Sequence, residues 1–285
     1  MRHTLGSLLV VVLLATGLAA AVPGAAAAAA PVTAAPTLPT SPFGDPPGAN
    51  DFSCKPTAAR PSPVILVHGT GGDRRSLLER LSRSVKDAGF CVFSLDYGNR
   101  GLNDIAASAA ELKTFVDRVR AATGAAKVSF VGHSQGGMMP RYYIKFLGGA
   151  AVVDDLVGLA PSNHGTAITA GELNPISLLV GWACPACVHQ GTGSAFLRHL
   201  NAGDETPGDV SYTSVTTRYD EVVVPHTSGY LAAGPNTTNV TLQAQCPFEP
   251  TEHLFIPVST PAISITLDAL TRPGPARASF QPRCL

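Results

Sequence analysis

The stretch from Lys127 to Met138 constrains this chain most. Val128 to Val131 is a β-branched and aromatic run that reads as a buried strand. It leads directly into Gly132, His133, Ser134, Gln135 and Gly136, a G-x-S-x-G sequence, with Gly137 and Met138 opening a helix-like segment. Such a turn holds a serine at the tip of a strained strand-to-helix corner with its hydroxyl exposed. Small residues are needed on both sides because Cβ atoms would clash across the corner. The same geometry aims the NH of Gln135 at the place where an oxyanion would form. The short pattern alone is weak, since an ordinary Gly-rich turn between strand and helix can match it. The rest of the chain has to agree.

It does so by alternation. Ser62 to His68 is an apolar run ending in the loop Gly69 to Gly72. That loop lacks the lysine of a phosphate-binding loop, and its glycines miss the dinucleotide-binding spacing. Its expected use is to bring backbone NH groups close to a substrate. A helix is expected over Arg75 to Ala88, with Leu77, Leu78, Leu81 and Val85 at helical spacing. A strand follows over Gly89 to Leu95 and a turn over Asp96 to Gly101. Ile105 to Ala122 is amphipathic, with Leu112, Phe115, Val116 and Val119 on one face, and Thr123 and Gly124 end it. Met138 to Leu147 reads as a helix that tolerates Pro140 in its first turns. Further strands are expected over Val152 to Leu159, Val210 to Thr216 and Thr238 to Ala244, and a closing helix over Thr260 to Leu270. Strands alternating with helices imply an α/β fold, a mostly parallel sheet with helices on both faces. Ligands then bind at the carboxyl ends of the strands. From about 164 to 209 the periodicity fails. This cap-like insertion holds the sole tryptophan, Trp182, and either covers a pocket or is a helical excursion with no gating role.

Residues 1–30 read as a signal peptide: Arg2 and His3, an apolar core from Leu8 to Leu14, then small residues with ambiguous cleavage positions. Residues 31–50 are rich in Pro, Ala and Thr and read as a flexible leader. Residues 51–285 suit one catalytic α/β domain. Formal charge is zero and 14% of residues are charged, with no basic run, which argues against a nucleic-acid partner. The six cysteines favour disulfides in an exported chain, with fifteen full pairings open. For Cys184 and Cys187 a local staple is preferred over a redox or zinc motif, which would need a thioredoxin-like context or a second ligand pair. No His and carboxylate cluster has ligand spacing, so neither metal nor cofactor is expected. Asn236 and Asn239 stand in glycosylation sequons, a pattern common by chance.

A serine hydroxyl needs a base, and the base an orienting carboxylate, in the order Ser, acid, His for this architecture. Asp220 ends the strand after the insertion and precedes the apolar anchor Val222 to Pro225, whereas Asp154, Asp155 and Asp209 flank strand starts, the wrong end of the sheet. His253 lies in a loop after the last expected strand and His226 is the runner-up base. Glu221 is expected to point elsewhere and His133 to face away from the substrate. His68 and His164, at strand ends, are candidates for supporting hydrogen bonds. The oxyanion hole would pair the NH groups of Gln135 and Thr70, with the Thr70 hydroxyl a further candidate. Val222, Val224, Leu254 and Ile256 are candidates for the substrate pocket.

At this point the chain resembles the α/β-hydrolases, more narrowly the secreted bacterial class 2 lipases, and more distantly the fungal lipase B type. The stretches that carry the resemblance are Val64 to Gly72, Gly132 to Gly137, Leu159 to Thr166, Tyr219 to Pro225 and Cys246 to His253. The resemblance implies an α/β-hydrolase fold and a lipase or carboxylesterase, a secreted enzyme acting on acyl esters, expected to be a monomer with transient contact to a lipid interface. It carries the nucleophile to Ser134, the acid to Asp220, the base to His253 and the oxyanion donors to Thr70 and Gln135. It also suggests disulfides Cys54–Cys91 and Cys246–Cys284, leaving Cys184–Cys187 as the third. Acyl transfer to a non-water acceptor or hydrolysis of a polymeric ester would use the same triad. A non-catalytic surface-binding protein is the remaining alternative.

Overall fold

A computed structural model describes residues 43–169 and 181–284. Six strands form one sheet: β1 (Val64–Val67), β2 (Val92–Leu95), β3 (Val128–His133), β4 (Val153–Leu159), β5 (Ser211–Thr216) and β6 (Thr237–Thr241). Their order is β2-β1-β3-β4-β5-β6 and every pairing is parallel. Every position of β1, β2 and β3 is buried, as parallel strands covered on both faces must be.

Alternate side chains feed two cores. On one face Ile65 and Val67 of β1 join Phe93 and Phe130 beneath α2 (Ile105–Thr123) and α3 (Gln135–Phe146). Leu112, Phe115, Val116 and Val119 form the seam of α2, the stripe read from the sequence. On the other face Val64 and Leu66 join Val131, Val157 and Val215 beneath α1 (Glu79–Asp87) and the closing helix Thr260–Leu270. Each such fully buried aliphatic side chain contributes about 1.5–3 kcal/mol relative to exposure. The chain leaves β1 toward β2 and returns with β3 on the other side of β1. The loops after β1 and β3 therefore flank the point where the strand order reverses, the usual ligand crevice of an open α/β sheet.

Several boundaries differ from the sequence reading, each for a local reason. α1 starts at Glu79 rather than Arg75. The Asp73 carboxylate accepts hydrogen bonds from the backbone of Arg75 and Ser76 and from the Ser76 hydroxyl, and Leu77 has φ 63°. Local side-chain bonds of this kind compete with the first helical turn. β6 stops at Thr241, and Leu242–Gln245 forms a helical turn in place of more strand. That turn directs Gln243 inward, where its amide binds the Arg218 NH, the Thr217 hydroxyl and the Glu249 carbonyl at 2.9 Å each. α2 ends at Gly124 with φ 77°, as expected, and its start is capped by Asp104, whose carboxylate accepts from the Ala107 NH.

The expected signal peptide lies outside the described residues, as does the leader up to residue 42. From Phe43 to Asn50 the segment expected to be flexible instead packs on the domain. The Asn50 NH bonds the Val92 carbonyl at 3.0 Å, its amide pairs with the backbone of Ser94, and Asp45 meets Arg74 at 2.7 Å. Disulfides join Cys54 to Cys91, Cys184 to Cys187 and Cys246 to Cys284. Around Cys184–Cys187, the insertion carries two short helices, α4 (Pro185–His189) and α5 (Ala195–Asn201). Residues 170–180 of the expected cap lie outside the described residues. No helix among the described residues is long and apolar enough to cross a membrane.

Candidate active site

The site is built on the corner between β3 and α3. Ser134 has φ 55° and ψ −124°, a conformation a non-glycine side chain rarely adopts and that costs on the order of 1–3 kcal/mol. The glycines of the motif are explained by contact. A Cβ on Gly132 would collide with the Gly136 carbonyl, and one on Gly136 with the carbonyls of Val67 and His68. The Ser134 NH is held by the Leu159 carbonyl at 2.9 Å.

Two further loops bring their side chains to this corner. His253 Nε2 lies 3.1 Å from Ser134 Oγ, and His253 Nδ1 lies 2.9 Å from the Asp220 carboxylate. Because a carboxylate only accepts, Nδ1 carries the proton and Nε2 presents its lone pair to the serine hydroxyl. The Asp220 Oδ1 also accepts from the NH groups of Val222 and Val223 at 3.0 and 2.7 Å. All three side chains are buried. Asp220 follows β5 closely, as read from the sequence. His253 stands further beyond β6 than expected, past the helical turn and the Cys246 loop.

The two loops are zipped together. The Thr217 hydroxyl donates to the Thr251 carbonyl at 2.6 Å, Tyr219 bridges Glu252, and Gln243 spans both sides. Glu221 reaches the His253 NH at 3.5 Å rather than the imidazole. His133 does something the sequence does not show: its ring stands 5.0 Å from that of His253, and its Nε2–H donates to the His253 carbonyl at 2.8 Å. Burial, and then the neighbouring His253, push its pKa down to about 3, so it stays neutral and keeps that donor. His226 stands in a 3-10 turn and takes no part in the relay.

The loop after β1 closes the other side. Gly69 lies against Ser134, where a Cβ would sit 3.0 Å from the serine Cβ. His68 Nδ1–H donates to the Gly69 carbonyl at 2.8 Å, and the Tyr97 hydroxyl donates to the His68 carbonyl at 2.7 Å. Burial depresses the His68 pKa. Arg100 clasps the loop through the Gly71 carbonyl and returns its own carbonyl to the Gly71 NH. The Thr70 hydroxyl donates to Gln135 Oε1 at 2.6 Å. Gln135 is the first residue of α3, where helix NH groups have no intrahelical partner. Sequence reasoning missed Gln190, whose amide reaches Thr70 and Gln135, because its insertion lacks a period from which to place it.

One expectation needs correction. Ile256 is not a pocket wall: it is fully buried in the core beneath α1 and the closing helix, turned inward by a 3-10 turn. His164 makes supporting hydrogen bonds, as expected, and makes them within the insertion and to the segment after Pro225. Its Nε2 meets Glu205 at 2.9 Å and its Nδ1 the Ser228 carbonyl at 3.2 Å. Val222, Val224 and Leu254 are exposed near the triad, with Phe255 beside them.

An all-parallel α/β sheet with a serine on such an elbow is an α/β-hydrolase. A model of the lipase (class 2) family matches residues 61–253, and the chain belongs to that family. Triacylglycerol lipases of Pseudarthrobacter phenanthrenivorans and Burkholderia plantarii are each 37% identical over 112 residues, 35% of this chain and 31% and 28% of theirs. The match thus spans about a third of the length of those curated relatives. Among solved structures, lipase B of Aspergillus fumigatus superposes with a TM-score of 0.67 at 23% identity, covering 81% of this chain and 61% of that one. The mature form of Bacillus licheniformis lipase BlEst2 gives 0.59 at 16% identity, covering 76% and 94%. At these identities the likenesses concern the fold.

Proposed function

We propose that the protein is a serine carboxylester hydrolase of the lipase type, acting through an acyl-enzyme on Ser134. The observation that carries this is the continuous relay from Ser134 through His253 to Asp220, at 3.1 and 2.9 Å. His253 takes the serine proton as Ser134 attacks the ester carbonyl, then gives it to the leaving alcohol. Water repeats the sequence and releases the acid. The NH groups of Gln135 and Thr70 receive the developing oxyanion, one such donor typically lowering the barrier by about 2.7–4 kcal/mol. Asp220 holds the imidazole in the working tautomer.

The exposed apolar side chains Val222, Val224, Leu254 and Phe255 at the mouth suit an acyl chain or a lipid surface. The three disulfides suit the secreted location inferred for the chain. The test is hydrolysis of p-nitrophenyl esters from short to long acyl chains by wild type and Ser134→Ala. Activity confined to wild type is expected, and the chain-length profile separates esterase from lipase. Two equally inert proteins would overturn the proposal.

A further inference from the structure

We infer that Gln190 is a positioning residue of the oxyanion hole, a role that rests on the ester-hydrolase reading above. Gln190 caps α4, beside the Cys184–Cys187 disulfide, and its side chain is buried. Its amide orientation is fixed by the Ala186 carbonyl, which can only accept and lies 3.1 Å from Nε2. The other end, Oε1, accepts from the Ser162 hydroxyl at 2.8 Å. With that orientation set, Nε2 donates to Thr70 Oγ1 at 2.9 Å. The Thr70 hydroxyl therefore turns its own proton onward, to Gln135 Oε1 at 2.6 Å.

The result is a one-way chain of donors from Gln190 through Thr70 to Gln135. It links the two residues whose NH groups form the proposed oxyanion hole. Nε2 also lies 3.2 Å from Gln135 Oε1. When the Thr70 hydroxyl turns toward a developing oxyanion, that acceptor keeps a donor. Gln190 thus fixes the resting direction of the hydroxyl and covers the group it leaves behind. This matters in the transition state and little in the substrate complex, so its loss falls on kcat rather than KM.

The test uses the full chain with p-nitrophenyl butyrate, active sites counted by a p-nitrophenyl phosphonate. Gln190→Met keeps length and removes the donor; Gln190→Glu substitutes an acceptor. Both are expected to lower kcat by about 10- to 100-fold with KM within about twofold, below the 10²–10³ typical for loss of a direct donor. In a Thr70→Val background, Gln190→Met should cost less than about twofold, because the hydroxyl it directs is gone. A mere brace for the loop would give equal losses in both backgrounds, and that result overturns the inference. So does an unchanged kcat in folded Gln190→Met. If that variant does not fold, Gln190→Glu, which keeps the shape and removes the donor, is read in its place, and an unchanged kcat there overturns the inference equally. Wild type that neither turns over the ester nor reacts with the phosphonate overturns the hydrolase reading, and this role with it.

Discussion

Asp155 shows how far one residue's environment can move its chemistry. It lies on β4, buried among the strand starts, and accepts a hydrogen bond from the Ser129 hydroxyl at 3.0 Å. Burial, and then the adjacent Asp154, push its pKa up to about 7. A folded-state pKa above the unfolded value means the neutral form is favoured by folding. That contribution is full below the ordinary carboxylate range and lost as pH rises toward about 7. Asp155→Asn, which keeps an acceptor for Ser129, should therefore raise the melting temperature at pH 8 and leave it nearly unchanged at pH 4. Equal shifts at both pH values would show that charge is not the cause. The same scale governs Gly132: with the Gly136 carbonyl against its Cα, Gly132→Ala should abolish ester hydrolysis even where soluble protein is recovered. Near-wild-type turnover would mean that the corner can open without losing the serine's placement.

At the scale of elements, the proposed base, His253, owes its position to neighbours as much as to its own loop. His133, from the strand that leads into the serine, holds the backbone of His253, so Ser134 and His253 are referenced to one strand end. His133→Phe removes that donor while filling the space. A roughly 10-fold fall in kcat with unchanged KM is expected, since the imidazole would sample more positions, and 1 Å misplacements are costly. A loss confined to KM would contradict this. A second tie, in the insertion, is the pair His164 and Glu205. The hydrogen bond from His164 pulls the Glu205 pKa down to about 2, and the same bond raises that of His164. For Glu205 the stabilisation is present above the ordinary glutamate range and lost as pH falls through about 4 toward 2. For His164 it is present below the ordinary histidine range and lost as pH climbs past its raised value.

The whole molecule explains which features could be read from the chain alone. Six strands, the serine corner, Asp220 and His253 were legible because an open parallel sheet forces chemistry to strand ends, and those ends announce themselves by apolar runs giving way to polar or glycine-rich loops. Gln190 was not, because its contact with Thr70 spans 120 residues from a segment without period. Ile256 misled because its neighbour Leu254 is exposed while a 3-10 turn buries Ile256 itself. The sheet edges depend on what covers them. The segment before Cys54 pairs with β2, and Cys54–Cys91 ties it there. At the other end Cys246–Cys284 fastens the C-terminal tail to the segment that leads into the histidine loop. Closing a loop of 38 residues by a disulfide contributes on the order of 3–4 kcal/mol through the unfolded chain. Replacing both Cys246 and Cys284 by Ser should therefore lower the melting temperature by roughly 10 °C. Because Glu249 and Gln243 anchor the histidine loop close to Cys246, ester hydrolysis should fail several degrees below the loss of secondary structure. Coincident loss of both signals would mean that the bridge stabilises the domain as a unit and has no separate hold on the base.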